Sequence, residues 1–226
     1  MIARRGVLGL LGATVAISLT GCGAYSGESY RFRMTVEAET PQGVVTGSSV
    51  YEVTAKKLVR LTSEERAGSG GTRGQALILD LPSGPVFVTL KMPVAGHHLG
   101  IRATKALLPA TRSGDIDANL AAVDKLGSWF ADYKAELPRE DWPLMVRFGD
   151  INDPSSVERV EPGSRGIKRI FLETTSDDVS VGIEKKLAWL RDAWRRLDHR
   201  GGVDFSGNSS LAKQVTHGDF STELPK

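Results

Sequence analysis

The chain has 226 residues, with 29 Lys+Arg against 27 Asp+Glu and a single cysteine. That length suits one large domain or two small ones with a real core, and the near-neutral balance gives no electrostatic case for nucleic acid. One Cys excludes an internal disulfide and, if that Cys is chemically consumed, a zinc–thiolate site as well.

The N-terminus reads as a leader. Met1–Arg5 is short and carries Arg4 and Arg5. Gly6–Leu19 is apolar and, at 14 residues, falls short of the ~20 a spanning helix needs, while fitting the apolar core of a signal peptide. It ends in Leu19-Thr20-Gly21-Cys22: an aliphatic residue, two small residues and a Cys. This run resembles the lipobox of bacterial lipoproteins. The resemblance covers residues 1–22. It implies cleavage between Gly21 and Cys22, a diacylglycerol on the Cys22 thiol and an acyl chain, such as palmitate, on the new amine. A single acyl chain holds a bilayer only marginally, at about 0.8 kcal/mol per buried CH₂, whereas two or three anchor stably.

Gly23 stands where an Asp would retain a lipoprotein in the inner membrane, so the same resemblance implies the periplasmic face of the outer membrane. Ala3-Arg4-Arg5-Gly6-Val7-Leu8 also looks like a degenerate twin-arginine signal; an ordinary secretory leader that happens to have two Arg is the favoured reading. Removal of residues 1–21 leaves 205 residues with 27 bases and 27 acids, so the formal +2 belongs to the leader.

Residues 22–29 predict a lipidated Cys and a flexible, small-residue tether. A single β-rich domain over residues 30–200 follows. Tyr30–Glu39 alternates apolar and polar, the period of a half-buried strand. Thr40–Gly43 is a turn signal, and Val44–Thr54 completes an antiparallel hairpin. Lys57–Thr62 predicts a short third strand. Ser63–Gly74 has four Gly and four charged residues and predicts a loop; its Gly-Ser-Gly-Gly-Thr-Arg-Gly run lacks the Gly-Lys-Ser/Thr ending of a phosphate-binding loop. Gln75–Leu81 and Pro85–Lys91 predict a second hairpin, with strands buried on both faces or at the sheet centre. His98–Thr104 predicts one more strand.

Asp115 or Asp117 is a candidate N-cap for a helix to about Glu136, with Leu120, Val123, Leu126, Phe130 and Tyr133 as its apolar stripe. Strands are predicted over Trp142–Phe148, Val157–Val160, Gly166–Thr175 and Val179–Ile183. Ile183, Leu187, Leu190, Trp194 and Leu197 predict a second amphipathic helix, ending near Asp198. Residues 201–226 read as a loosely ordered tail. The expected fold is therefore α+β: a mainly antiparallel sheet, sandwich-like or strongly curved, with two amphipathic helices packed on it.

Ligand candidates are few. Asp150-Ile151-Asn152-Asp153-Pro154 resembles the Asp-x-Asn-Asp calcium linker of cadherin repeats, which makes Asp150, Asn152 and Asp153 candidate Ca²⁺ ligands; an Asx-rich turn explains the same residues. His97-His98 is a candidate metal pair, but adjacent strand residues point to opposite faces. No Gly-x-Ser-x-Gly occurs, and no catalytic residue can be selected. Core packing is expected for Trp129, Trp142 and Trp194, with Trp189 at an interface or partly exposed.

Beyond the lipobox, Val146–Pro154 and Gly182–Lys186 resemble stretches of uncharacterised bacterial envelope lipoproteins, a likeness that implies no activity. The expectation is a lipid-anchored, non-enzymatic binding or assembly factor without a cofactor, held to the membrane by its lipid, with an envelope protein or glycan as partner and no nucleic acid. An envelope hydrolase and a divalent-cation protein are the alternatives.

Overall fold

A computed structural model describes residues 27–57, 68–111, 115–192 and 210–223. The fold is α+β and dominated by two antiparallel sheets. The strands are β1 (Gly27–Thr40), β2 (Gly43–Lys57), β3 (Gly68–Arg73), β4 (Leu77–Leu81), β5 (Gly84–Val88), β6 (Lys134–Glu136), β7 (Met145–Phe148), β8 (Val157–Val160) and β9 (Ile167–Thr174). The five-stranded sheet runs β3-β2-β1-β9-β6 and the four-stranded sheet β4-β5-β7-β8.

β1 is the axis of the first sheet. Tyr30, Phe32, Met34, Val36 and Ala38 form its inner row and are all buried. The opposite row is charged and cross-paired: Arg31 with Glu52, Arg33 with Glu173 and Asp177, and Glu37 with Arg169. Period-two alternation thus sorts core from solvent along the whole strand. The β1–β2 hairpin closes through Thr40 opposite Gly43, whose φ of 118° favours glycine.

The four-stranded sheet is a middle layer, which is why both arms of its β4–β5 hairpin are densely apolar. Leu77, Leu79, Val86, Val88, Met145 and Val160 face the first sheet and join its core. On the other face Phe87, Leu144 and Val146 meet Ile183, Leu187, Trp189, Leu190, Val215 and Phe220 in a second core.

Two helices, α1 (Leu99–Leu107) and α2 (Ile116–Gly127), extend the first core through Leu99, Ala103, Leu107, Val123 and Leu126. Asp115 caps α2 by accepting from the Ala118 N–H, as its sequence position suggested.

Several local expectations are corrected. β1 already begins at Gly27, so the last residues of the expected tether belong to the sheet. The third strand is β3, inside the expected loop; main-chain pairing to Glu52–Lys57 holds it without an apolar pattern. Residues 58–62 of the strand expected there lie outside the described residues. His98–Thr104 is not a strand but the start of α1, whose Leu99, Ala103 and Leu107 recur at helical spacing. The helix expected to reach Glu136 stops at Gly127. There the chain abuts β1, and a Cβ on Gly127 would collide with the Ser29 carbonyl oxygen. Lys134–Glu136 instead pairs with β9.

Trp142–Leu144 precedes β7 rather than belonging to it. Val179–Ile183 forms no strand; Ser180 bonds Val50 through its N–H and its hydroxyl. In place of the second amphipathic helix come two 3₁₀ turns, Ile183–Lys185 and Ala188–Asp192, which still bury Ile183, Leu187 and Leu190. Trp194 and Leu197 lie outside the described residues. Within the expected loose tail, helices Leu211–Gln214 and His217–Phe220 dock Val215 and Phe220 into the second core, and Ser221 bridges Gln75.

Candidate functional site

One cleft, about 380 Å³, opens beside β3, the terminal strand of its sheet among the described residues. Val53 and Ala55 of β2 line its floor, Gly70, Gly71 and Thr72 one wall, and Ile101 and Thr104 of α1 the other. Gly100 lets the helix approach so closely: a Cβ there would lie 2.6 Å from Thr72 Oγ1 and 3.1 Å from both Val53 methyls.

A chain of hydroxyls fixes this geometry. The Gly100 N–H donates to Thr72 Oγ1 at 3.1 Å. Thr104 Oγ1 donates to the Gly100 carbonyl at 2.8 Å and meets the Tyr30 hydroxyl at 2.9 Å. Burial pushes the Tyr30 phenol well above its ordinary range, so it stays neutral. Lys56 and His98 are the titratable residues of the lining. Ser69, Gly70 and Gly71 are exposed, and β2 is the one strand paired with β3 among the described residues, so alternate backbone groups of β3 point away from it. The cleft therefore combines main-chain hydrogen-bonding capacity with hydroxyl and aliphatic surface. Its strand went unseen in the sequence because glycines carry no side-chain periodicity.

A second cleft, about 510 Å³, lies between the Leu90–Leu99 segment and the C-terminal helices. Lys91, His97, His98 and Asp219 border it. Asp219 accepts from the Thr216 N–H at 2.7 Å and sits 3.6 Å from Lys91 Nζ. His97 Nδ1 is shut off from solvent with no hydrogen-bond partner among the described residues. The opposite-faces argument does not apply to His97 and His98, because they precede a helix and both line this cleft.

The Asp150 loop is tied up by its own backbone. Asp150 Oδ1 accepts from the Asn152 N–H at 2.9 Å, and Asp153 Oδ1 accepts from the Ser155 hydroxyl and N–H at 2.7 and 2.9 Å. Those Ser155 bonds, the hydroxyl first, hold the Asp153 carboxyl below its ordinary range. The Trp189 Nε1–H clamps the loop through the Ile151 carbonyl at 2.9 Å. Asp150, Asn152 and Asp153 are thus brought together as Asx turns, and among the described residues no group of three or more His, Cys, Asp or Glu is placed to hold a metal ion.

Gly21 and Cys22 lie outside the described residues. Among those described, no helix is long and apolar enough to cross a membrane. No family model, curated protein or solved structure matches the chain.

Proposed function

We propose that the chain is a lipid-anchored envelope lipoprotein, joined to the outer membrane through Cys22, whose domain faces the periplasm as a non-enzymatic binding or assembly factor. The observation that carries the anchor is the ordered leader itself: Arg4 and Arg5, the apolar Gly6–Leu19 and Leu19-Thr20-Gly21-Cys22. The domain starts at Gly27, five residues beyond Cys22, so it is held close to the bilayer.

For the binding role the cleft beside β3 is the proposed site, and an extended segment of an envelope polypeptide the proposed partner. Such a segment adds main-chain bonds to a terminal strand and sends alternate side chains into the adjoining cleft. A glycan is supported less at this cleft, because no Trp, Tyr or Phe lines it among the described residues. The test is capture from the native envelope with the full-length lipidated protein. Ile101, 48% exposed at the cleft rim, can take a charge without disturbing the core. A polypeptide retained by the wild type and lost with Ile101→Glu supports the reading; equal retention by both contradicts it.

A hydrolytic role would draw on the second cleft, whose lining includes His97, His98 and Asp219. It predicts turnover that disappears with His97→Gln.

A further inference from the structure

Trp129 and Phe130 are 92% and 89% exposed. The other large exposed apolar residues among those described, Val44, Val94, Ile101 and Val181, stand singly; only Trp129 and Phe130 are adjacent. Two bare aromatics side by side are costly in water and call for a surface to meet.

Their mounting is firm. They occupy the two central positions of a turn closed by the Ala131 N–H donating to the Ser128 carbonyl at 3.0 Å. Thr174 Oγ1 of β9 donates to the Ala131 carbonyl at 2.9 Å and accepts from the Tyr133 N–H at 3.0 Å. The preceding residue, Gly127, presses on the Ser29 carbonyl at the start of β1. The turn and the first residues of β1 therefore sit side by side, lining one open recess with Ser29, Tyr30 and Trp129.

That position matters because of what precedes β1. Gly27 lies five positions beyond Cys22, with four residues between them, and a fully extended chain of five steps spans at most about 18 Å. The end of the domain carrying Trp129 is thus the end drawn to the lipid. Tryptophan favours the membrane–water interface, where its ring is apolar and its N–H finds water or headgroups. The neighbouring charges oppose one another: Lys125 and Lys134 lie near Asp124 and Asp132 along the chain.

We infer that the Ser128–Ala131 turn is a second membrane contact: Trp129 and Phe130 seat in the interfacial layer of the bilayer that holds Cys22 and set the orientation of the domain on it. This rests on the proposed lipidation of Cys22. The contact is made by aromatic surface rather than charge, so it forms on zwitterionic lipid and resists salt.

The test uses full-length lipidated protein in phosphatidylcholine vesicles, with and without bromine on the acyl chains, and intact mass to verify the acyl groups on Cys22. Emission of Trp129 is obtained as wild type minus Trp129→Phe, which cancels the other tryptophans. The expected result is loss of most of the Trp129 signal in brominated vesicles, unchanged at high salt. Full Trp129 emission in brominated vesicles, with the acyl chains verified, overturns the inference and leaves the anchor standing. Absence of acyl chains on Cys22 overturns the anchor and the inference together. An unchanged urea midpoint for Trp129→Phe confirms that the difference signal reports on a folded protein.

Discussion

Trp142 and Trp189 are 1% and 3% exposed, while Trp129 and Phe130 are almost wholly bare. The buried pair shows what this fold demands of an aromatic: the Trp142 indole N–H donates to the Leu137 carbonyl at 2.8 Å, and that of Trp189 to the Ile151 carbonyl at 2.9 Å. Trp189 also packs edge-on against Phe148 and Phe220. Each buried ring therefore combines hydrophobic area with a satisfied donor. Trp129 and Phe130 have no such setting, although the turn beneath them is held by several hydrogen bonds. The difference separates two uses of the same side chains: one pair builds cores, the other is left for an external surface.

The largest effects should come from the buried pair. Trp142→Ala and Trp189→Ala each remove a large ring and strand a carbonyl, and each should destabilise by about 3–5 kcal/mol. Urea unfolding checks this; a loss for Trp189→Ala as small as that of a surface substitution would break the contrast. Tyr30→Phe removes the hydroxyl that meets Thr104 while keeping the ring, and should cost about 0.5–1.5 kcal/mol by the same assay.

A pH-dependent effect comes next. Arg73 on β3 pairs with Glu223 beyond the last helix. Hydrogen bonds from Arg73, together with Thr222 and the charge of Arg73, hold the Glu223 carboxyl below its ordinary range despite partial desolvation. Its folded pKa lies below the unfolded one, so its contribution is complete above the ordinary glutamate range and fades as pH falls through the lowered value. Hydrogen exchange at Phe220–Glu223 should rise beyond the intrinsic pH trend as the pH falls below the ordinary glutamate range, and Glu223→Gln should abolish that excess. Trp129→Ala with Phe130→Ala comes last: the urea midpoint should move by no more than about 0.5 kcal/mol equivalent. A large loss would place these rings in the core account.

Much of the architecture was legible in residue spacing. The alternation of Tyr30–Glu39 gave β1 and both its faces, and the dense apolar arms around Pro82-Ser83-Gly84 gave a hairpin buried on two sides. What escaped was set by neighbours distant in sequence. α2 ends at Gly127, against Ser29 at the start of β1, a contact that residue spacing does not reveal, and Phe130 falls outside the predicted stripe. β3 has no pattern because its pairing is all main chain. Phe220 looked like part of a loose tail because the Phe87 and Phe148 rings that receive it lie far upstream. The proposed cleft inherits both blind spots, for it joins a patternless strand to a helix that read as a strand.

The most direct measurement is the intact mass and membrane partition of the protein from its own envelope, wild type beside Cys22→Ser. If Cys22 is the anchor, the wild-type chain begins at Cys22, carries acyl chains and stays with the membrane through a carbonate wash, and the Cys22→Ser form carries none and washes free. A wild-type chain without acyl groups, or a Cys22→Ser form that resists the wash as the wild type does, would contradict the anchor.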